Sequence, residues 1–141
     1  MAILTLNAFI FLLIRFVWGN RGFYGVQHIF VYGTLKRGYR LSSFMEGQFI
    51  GEATTVADYR LFDIGSFPGL VEQSPGVAVV GEVWAVSDEC LAVLDEVEAV
   101  DEGMYRRSLI RLQSPFDELE IESYFYLKRT DGLADCGSCW V

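Results

Sequence analysis

The sequence has few cysteines, and this argues against a disulfide scaffold. Cys90, Cys136 and Cys139 are an odd and small set for a secreted disulfide-rich protein, so we expect a reducing, cytoplasmic setting. Cys136 and Cys139 have the C-x-x-C spacing, but too little sequence follows them for the helix that a thioredoxin-type motif opens. We interpret them as two thiols in a loosely ordered tail.

Histidine is scarcer still, since His28 is the only one. Any Ser-His-Asp or Cys-His site would have to use it, and its place at the start of a predicted strand favours a structural role. A zinc site would have only His28 and Cys90 to add to the C-x-x-C pair. Gly19, Gly22 and Gly25 do not precede the Gly-Lys-Ser/Thr of a phosphate loop. We therefore expect no metal site and no cofactor.

Positive charge is also in short supply. Eleven Lys and Arg residues stand against nineteen Asp and Glu, and the formal net charge is -8. Nucleic-acid binding needs a basic face, so a nucleic-acid partner is not expected. Lys36, Arg37 and Arg40 form a small basic cluster, which a local anion contact or plain solvation would explain.

The longest apolar run is too short to span a bilayer. It covers residues 3–14, about 12 residues, whereas a membrane helix needs about 20. The basic segment that precedes the apolar part of a signal peptide is missing here. A weak membrane anchor, a degenerate signal and an extension remain open. We favour an extension over residues 1–26 that lies outside the fold, with one domain over residues 27–141 and no stable membrane span.

The chain length of 141 residues suits one domain, and its pattern is mostly that of strands. Ser66–Gly69 is typical of a turn, because proline presets one dihedral and glycine tolerates a positive φ. The predicted strands are His28–Thr34, Phe49–Ala57, Tyr59–Ile64, Val77–Val86, Tyr105–Leu112 and Ile121–Lys128.

One helix is well marked, with Ser87 as a suitable N-cap and acidic residues in its first turn. Leu91 and Leu94 belong to its apolar stripe. At about 100° per residue, Glu98 falls between them, and Glu96 points away. Burial would raise the pKa of the Glu98 carboxyl and suit it to proton transfer near neutrality. The alternative is that the helix frays first and Glu98 is solvated.

A second candidate site is the sequence Phe30–Gly38, in which an apolar run ends in Tyr-Gly-Thr-Leu. The pattern predicts a buried strand that leads into a tight loop, and such a loop can direct several N–H groups toward a small anion such as a carboxylate. We expect Gly33 to need a positive φ or open space for a substrate.

These segments resemble the γ-glutamylcyclotransferase superfamily, and within it the γ-glutamylamine cyclotransferase-like (AIG2-like) branch. The resemblance covers the chain from residue 27 onward. It rests on motifs in the family's order: FVYGTLKRG at Phe30–Gly38, YRLFDIGSFPGLV at Tyr59–Val71, GEVWAV at Gly81–Val86, LDEVE at Leu94–Glu98 and YRR at Tyr105–Arg107, with a weaker match of YFYLKRTDGL at Tyr124–Leu133.

The resemblance implies a mixed α/β (α+β) fold: a small, twisted, partly barrel-like sheet with one main helix. It implies that a substrate-binding loop holds the substrate's α-carboxylate through its backbone amides, and that Glu98 is the catalytic residue. Tyr105 would bind substrate close to Glu98. Tyr124 and Tyr126 could line the pocket or pack on the sheet. The residues of the implied loop are Tyr32, Gly33, Thr34 and Leu35.

The expected function is that of an enzyme which cyclises a γ-glutamyl amide to 5-oxoproline and releases the amine. This is an intramolecular aminoacyl transfer with lyase-type release, and its partner is a small γ-glutamyl molecule. Glu98 would act as general acid and base. The alternative is a non-catalytic protein that binds a small ligand or a partner through the same loop. We expect a monomer or a weak homodimer.

Overall fold

A five-stranded mixed sheet carries the fold, and a two-stranded hairpin packs beside it. The computed structural model describes residues 25–141. The strands are β1 (Val26–Val31), β2 (Gly47–Thr54), β3 (Tyr59–Asp63), β4 (Pro68–Glu72), β5 (Val80–Ser87), β6 (Tyr105–Leu109) and β7 (Glu122–Tyr126); the helix α1 is Asp88–Val97, and Ser42–Phe44 form a 3-10 turn.

The order of the large sheet is β2-β5-β1-β7-β6, and β3 pairs with β4. β1 lies antiparallel to β5 and parallel to β7. β1 is therefore the central strand, and the side chains of its last three residues are buried on both faces. Phe30 packs into one core cluster, while Ile29 and Val31 pack into the other, as the two-residue period of a strand requires.

The two edges of this sheet meet where β2 and β6 end. Thr55 bridges Leu112, and two backbone hydrogen bonds flank the bridge, from Val56 N to Arg111 O at 3.1 Å and from Gln113 N to Thr54 O at 2.8 Å. Backbone pairing between edge strands curls the sheet toward a barrel. The mixed α+β, partly barrel-like fold predicted from the sequence is confirmed.

The helix forms as predicted. Ser87 Oγ accepts a hydrogen bond from Cys90 N at 3.1 Å, which caps the first turn. Leu91 and Leu94 are buried against the core cluster that contains Ile29 and Val31. α1 thus covers one face of the sheet and delivers its C-terminal end to the end of β1.

Strand boundaries differ from the predictions in two places that matter for the site. β1 ends at Val31, three residues earlier than predicted, because Lys36 N bonds back to Gly33 O and the chain turns. The prediction of a turn over Ser66–Gly69 was wrong for its second half, since Pro68 and Gly69 are the first two residues of β4. Proline is tolerated there because the first residue of an edge strand need not donate to the ladder.

The C-terminal tail is held in place, so the prediction of a loosely ordered tail was wrong. Cys136 N donates to Leu61 O at 2.8 Å, and Val80 N donates to Ser138 O at 2.8 Å. Lys36 is buried, and its Nζ donates to Trp140 O at 2.8 Å. Lys36 therefore binds the tail, and this differs from the solvated side chain or anion contact that we expected for it.

The predicted extension over residues 1–26 lies outside the described residues except for Gly25 and Val26. Val26 pairs with Ser87 in the sheet, and Gly25 O accepts a hydrogen bond from Asp88 N. That the residues before these lie outside the fold stays a prediction. Within residues 25–141, no helix is long and apolar enough to cross a membrane.

Candidate active site

One pocket brings together all the site residues that the sequence singled out. It lies where β1 ends, between the loop after β1, the start of β4 and the end of α1, and has an empty volume of about 310 Å³ including its open mouth. We refer to it as the Glu98 pocket. It is lined by Phe30, Val31, Tyr32, Gly33, Thr34, Leu35, Phe67, Pro68, Glu98, Tyr105 and Tyr124.

The loop after β1 supplies hydrogen-bond donors to this pocket. The carbonyl of Gly33 accepts from Lys36 N at 3.0 Å, and that of Thr34 accepts from Leu41 N at 2.9 Å. The N–H groups of Gly33, Thr34 and Leu35 have no acceptor among the described residues, although all three residues are buried. Buried N–H groups need an acceptor, so this loop is suited to a carboxylate.

A buried carboxylate fixes this loop from behind. Glu82 accepts a hydrogen bond from Arg37 N at 2.9 Å and a second from Arg37 Nε at 3.1 Å. Trp84 Nε1 also donates to Glu82, and the Arg37 guanidinium lies 3.5 Å from the centre of the Phe49 ring. These contacts hold the loop in a set shape before any ligand arrives, which lowers the ordering cost of binding.

Glu98 occupies the C-cap of α1, and its position is well defined. Ala99 adopts a left-handed conformation with φ 51°, and its N–H donates to Glu96 O. The N–H of Val100 reaches back to Asp95 O, which completes a Schellman motif. The helix therefore ends in an ordered cap, and Glu98 lines the pocket with only partial exposure.

Burial in this pocket raises the pKa of the Glu98 carboxyl from 4.5 to about 7. The physical cause is desolvation, which penalises the charged form. Near neutral pH, both protonation states are therefore populated. A carboxyl of this kind can take up and return a proton in one reaction cycle.

The raised pKa has a consequence for stability. Below pH 4.5, Glu98 is protonated in the folded and unfolded chain, whereas above pH 7 both are ionised and only the folded chain bears the desolvation cost. Stability is therefore lost as pH rises from about 4.5 through 7. We expect Glu98→Gln to raise the free energy of unfolding at pH 8 by about 1–2 kcal/mol more than at pH 4.5, after allowance for partial exposure.

Urea unfolding of the wild-type and Glu98→Gln proteins at pH 4.5 and pH 8 measures this difference in the free energy of unfolding. Glu96→Gln is the matched control, because Glu96 lies on the same helix with its side chain exposed. It should show no such pH-dependent gain. An equal effect of Glu98→Gln at pH 4.5 and pH 8 would contradict the raised pKa.

Three tyrosines form walls of the pocket, and each is anchored through its hydroxyl. Tyr32 Oη donates to Tyr124 O at 2.6 Å, and Tyr105 Oη donates to Pro68 O at 2.7 Å. Tyr124 Oη donates to Asp95 Oδ1 at 2.7 Å. For Tyr32 and Tyr105, burial is the main cause of a raised pKa, and the charge of Glu98 adds to it.

Asp95 is the centre of an ion-pair network beside the pocket. Arg107 Nε and Nη2 contact its two carboxylate oxygens at 3.0 and 3.3 Å, and Arg107 Nη1 binds Glu122 Oε1 at 2.8 Å. The network joins α1, β6 and β7. Helix periodicity does not reveal this network, because it cannot assign the partner strands that supply Arg107 and Glu122.

The structure brings the site residues predicted from the sequence to the Glu98 pocket, and their catalytic and binding roles stay predictions. Phe67 and Pro68 were missed as pocket residues, because their turn-like sequence hid the start of β4. Tyr124, for which the sequence allowed either a pocket or a packing role, lines the pocket. Tyr126 packs against Tyr105 with the ring planes tilted and the ring centres 5.5 Å apart. Within residues 25–141, no group of three or more His, Cys, Asp or Glu residues could hold a metal ion.

Gly33 has a different role from the one expected. It is not among the residues with a positive φ, and a Cβ at this position would lie 2.5 Å from Pro68 Cγ and 2.7 Å from Pro68 Cδ. Gly33 is therefore required for close packing of the loop against β4, and the expectation of a positive φ was wrong. That Gly33 also leaves space for a substrate stays a prediction.

We expect Gly33→Val to destabilise the fold by about 1–3 kcal/mol, as overpacking does, and to weaken substrate binding by displacing the loop. Thermal unfolding measures the first effect. Gly51→Ala is the control, since its Cβ would make an ordinary 3.4 Å contact with Phe116. A Gly33→Val protein that unfolds at the wild-type temperature would contradict the packing role.

Comparison with protein families identifies the family to which the pocket-forming part of the chain belongs. The model of a family described as gamma-glutamyl cyclotransferase, AIG2-like, matches residues 29–140. The chain belongs to this family. The match includes the loop after β1, the end of α1 and the tail, so the Glu98 pocket lies wholly within the part that the cyclotransferase family shares.

Relatives of the cyclotransferase family span most of the chain. A Vibrio cholerae protein, provisionally named a gamma-glutamylcyclotransferase, is 39% identical over 114 residues, covering 79% of this chain and 95% of its own length. A rat gamma-glutamylaminecyclotransferase is 35% identical over 97 residues, covering 62% of this chain and 64% of its own length. A mouse AIG2-like crystal structure has 30% identity and a TM-score of 0.70, and the match covers 82% and 88% of the two chains.

Proposed function

We propose that the protein converts a γ-glutamyl amide to 5-oxoproline and releases the amine, with Glu98 as general acid and base. The observation that carries the proposal is the juxtaposition of Glu98 with the unpaired amides of the loop after β1 in one pocket. Family membership and the name of the rat relative support the substrate class. The partly buried carboxyl also favours an enzyme over the alternative of a protein that only binds a ligand.

The loop would fix the substrate by its α-carboxylate. The N–H groups of Gly33, Thr34 and Leu35 would supply the hydrogen bonds, and the rigid support from Glu82 would keep them in place. A γ-glutamyl chain has several free torsions, so holding both ends in a cyclising geometry can contribute several kcal/mol to the rate.

Glu98 would then transfer one proton in each direction. As the ionised base it takes a proton from the substrate's α-ammonium, and the freed amine attacks the γ-carbonyl carbon. A carbon–nitrogen bond forms and closes the five-membered ring, and a tetrahedral intermediate carries the negative charge on oxygen. Protonated Glu98 then donates to the departing amine nitrogen, and the old carbon–nitrogen bond breaks as the oxygen reforms the carbonyl. The ring nitrogen still carries one extra proton, which passes to the released amine, so that 5-oxoproline and an ammonium ion remain.

A panel of γ-glutamyl compounds tests the proposal and identifies the leaving group. The panel would contain γ-glutamyl dipeptides, γ-glutamyl-ε-lysine and simple γ-glutamyl alkylamides, with a chelator present and without ATP. Mass spectrometry should find 5-oxoproline and the free amine in equal amounts for at least one member. Tight binding of members of the panel with no turnover would support the binding-only alternative.

A further inference from the structure

The hydroxyl protons of the pocket tyrosines all point toward protein acceptors. Tyr32 Oη donates to Tyr124 O at 2.6 Å and accepts from Leu70 N at 3.3 Å, so it has no proton left for a ligand. Tyr105 Oη donates to Pro68 O at 2.7 Å. Because a phenol has a single proton, neither residue can donate a hydrogen bond into the pocket.

The direction of the Tyr124 hydroxyl is fixed by Asp95. Asp95 is bound by the Arg107 guanidinium at two oxygens, and a carboxylate in such a pair can only accept. The proton of the 2.7 Å contact therefore belongs to Tyr124, and the oxygen of Tyr124 keeps its lone pairs for other partners. Tyr124 and Glu98 line the same pocket. Burial is the main cause of a raised pKa of Tyr124; the hydrogen bond to Asp95 and the charges of Asp95 and Glu98 add to it, and Arg107 opposes it.

The pocket thus has two chemically different ends. The loop after β1 carries unpaired N–H donors, whereas the other lining residues include the Glu98 carboxylate and two tyrosines, Tyr105 and Tyr124, whose hydroxyl protons are donated to protein acceptors. A ligand that matches both ends carries a carboxylate and an ammonium group at a short separation. This is the head group of an α-amino acid in its zwitterionic form.

We propose that Tyr124 is a binding residue for the substrate's α-ammonium group, accepting one N–H from it while Glu98 accepts another. The inference rests on the proposed function and adds a residue to it. Because the Tyr124 proton is donated to Asp95, the Tyr124 oxygen can only accept hydrogen bonds from a ligand. It therefore favours an ammonium group beside it and disfavours an acylated nitrogen, whose carbonyl oxygen would meet another acceptor. The tyrosine hydroxyls are also excluded as donors to the oxyanion, so that task falls to backbone amides.

Binding measurements with a pair of ligands test the assignment. The ligands are L-γ-glutamyl-methylamide and its counterpart without the amino group, N-methylglutaramic acid. Calorimetry in a Glu98→Gln background avoids turnover. Loss of a hydrogen bond to a charged group is expected to weaken binding by about 10-fold or more. Tyr124→Phe should therefore lower the affinity for the amino ligand by that factor. It should change the affinity of the desamino ligand by less than about 2-fold.

Two further variants make the test specific. Tyr39→Phe removes a hydroxyl that donates to Trp140 O outside the pocket, and it should affect neither ligand. Asp95→Leu keeps the branched shape but removes the acceptor of the Tyr124 proton, which then points toward the ammonium group. It should weaken binding of the amino ligand selectively, and it keeps the test decisive if Tyr124→Phe does not fold. Equal weakening of both ligands, or no weakening, would overturn the role of Tyr124 and leave the proposed function standing. Failure of both ligands to bind any variant would overturn both.

Discussion

Replacing Glu98 by glutamine is expected to lower the release of 5-oxoproline by about 100- to 10,000-fold, the usual contribution of a general acid–base group. Glutamine has the same shape and can still hydrogen-bond in the pocket, but its amide cannot accept the ammonium proton. Because Glu98 sits in an ordered helix cap, the substitution should leave the fold intact. Initial rates of 5-oxoproline formation at saturating substrate measure the effect.

Glu96→Gln is the matched control for this prediction. Glu96 lies two positions before Glu98 at the C-terminal end of α1, yet its side chain is exposed and does not line the pocket. Its substitution should change the rate by less than about 2-fold. A Glu98→Gln protein that cyclises a substrate at the wild-type rate would remove Glu98 from the mechanism.

The second large effect is expected in the pH profile of kcat/KM. Glu98 must be ionised to act as the base, and its pKa is raised by burial to about 7. As pH falls through 7, the ionised fraction of the free enzyme falls. Because Glu98 is about half ionised at pH 7, we expect kcat/KM to fall by about 50-fold between pH 7 and pH 5, and its slope to approach about 10-fold per pH unit well below 7.

Steady-state kinetics between pH 5 and pH 9 provide the measurement. The residual activity of Glu98→Gln should lack the limb near pH 7, since the titrating group is gone. If the wild-type profile instead rises only near the pKa of a free amine, substrate deprotonation in water would limit the reaction and Glu98 would not be the base.

Local sequence signals were enough to predict the helix and its cap. Ser87 and the Leu91/Leu94 stripe fixed the rotation of α1, and from that rotation Glu98 followed. The loop after β1 was predictable for a similar reason, because an apolar run followed by Gly-Thr ends a buried strand. Both features depend on residues within about ten positions of each other, where periodicity and capping rules apply.

The features that the sequence did not reveal depend on contacts between distant segments. Gly33 touches Pro68, Lys36 reaches the carbonyl of Trp140, and Asp95 meets Arg107 from another strand. Their partners are set by the order of strands in the sheet, which no local pattern encodes. The start of β4 was not predicted, because proline and glycine in Ser66–Gly69 are typical of turns, although both residues also occur in edge strands.

In the proposed reaction the substrate's own α-amine is the nucleophile, and product analysis in water enriched in ¹⁸O distinguishes this attack from attack by water. A substrate from the γ-glutamyl panel, labelled with ¹⁵N at the α-amine, would be converted by the wild-type protein and analysed by mass spectrometry. Attack by the α-amine gives 5-oxoproline that carries ¹⁵N in its ring and no ¹⁸O, with the amine released in equal amount. Formation of glutamate carrying ¹⁸O would show hydrolysis by water and would contradict attack by the α-amine.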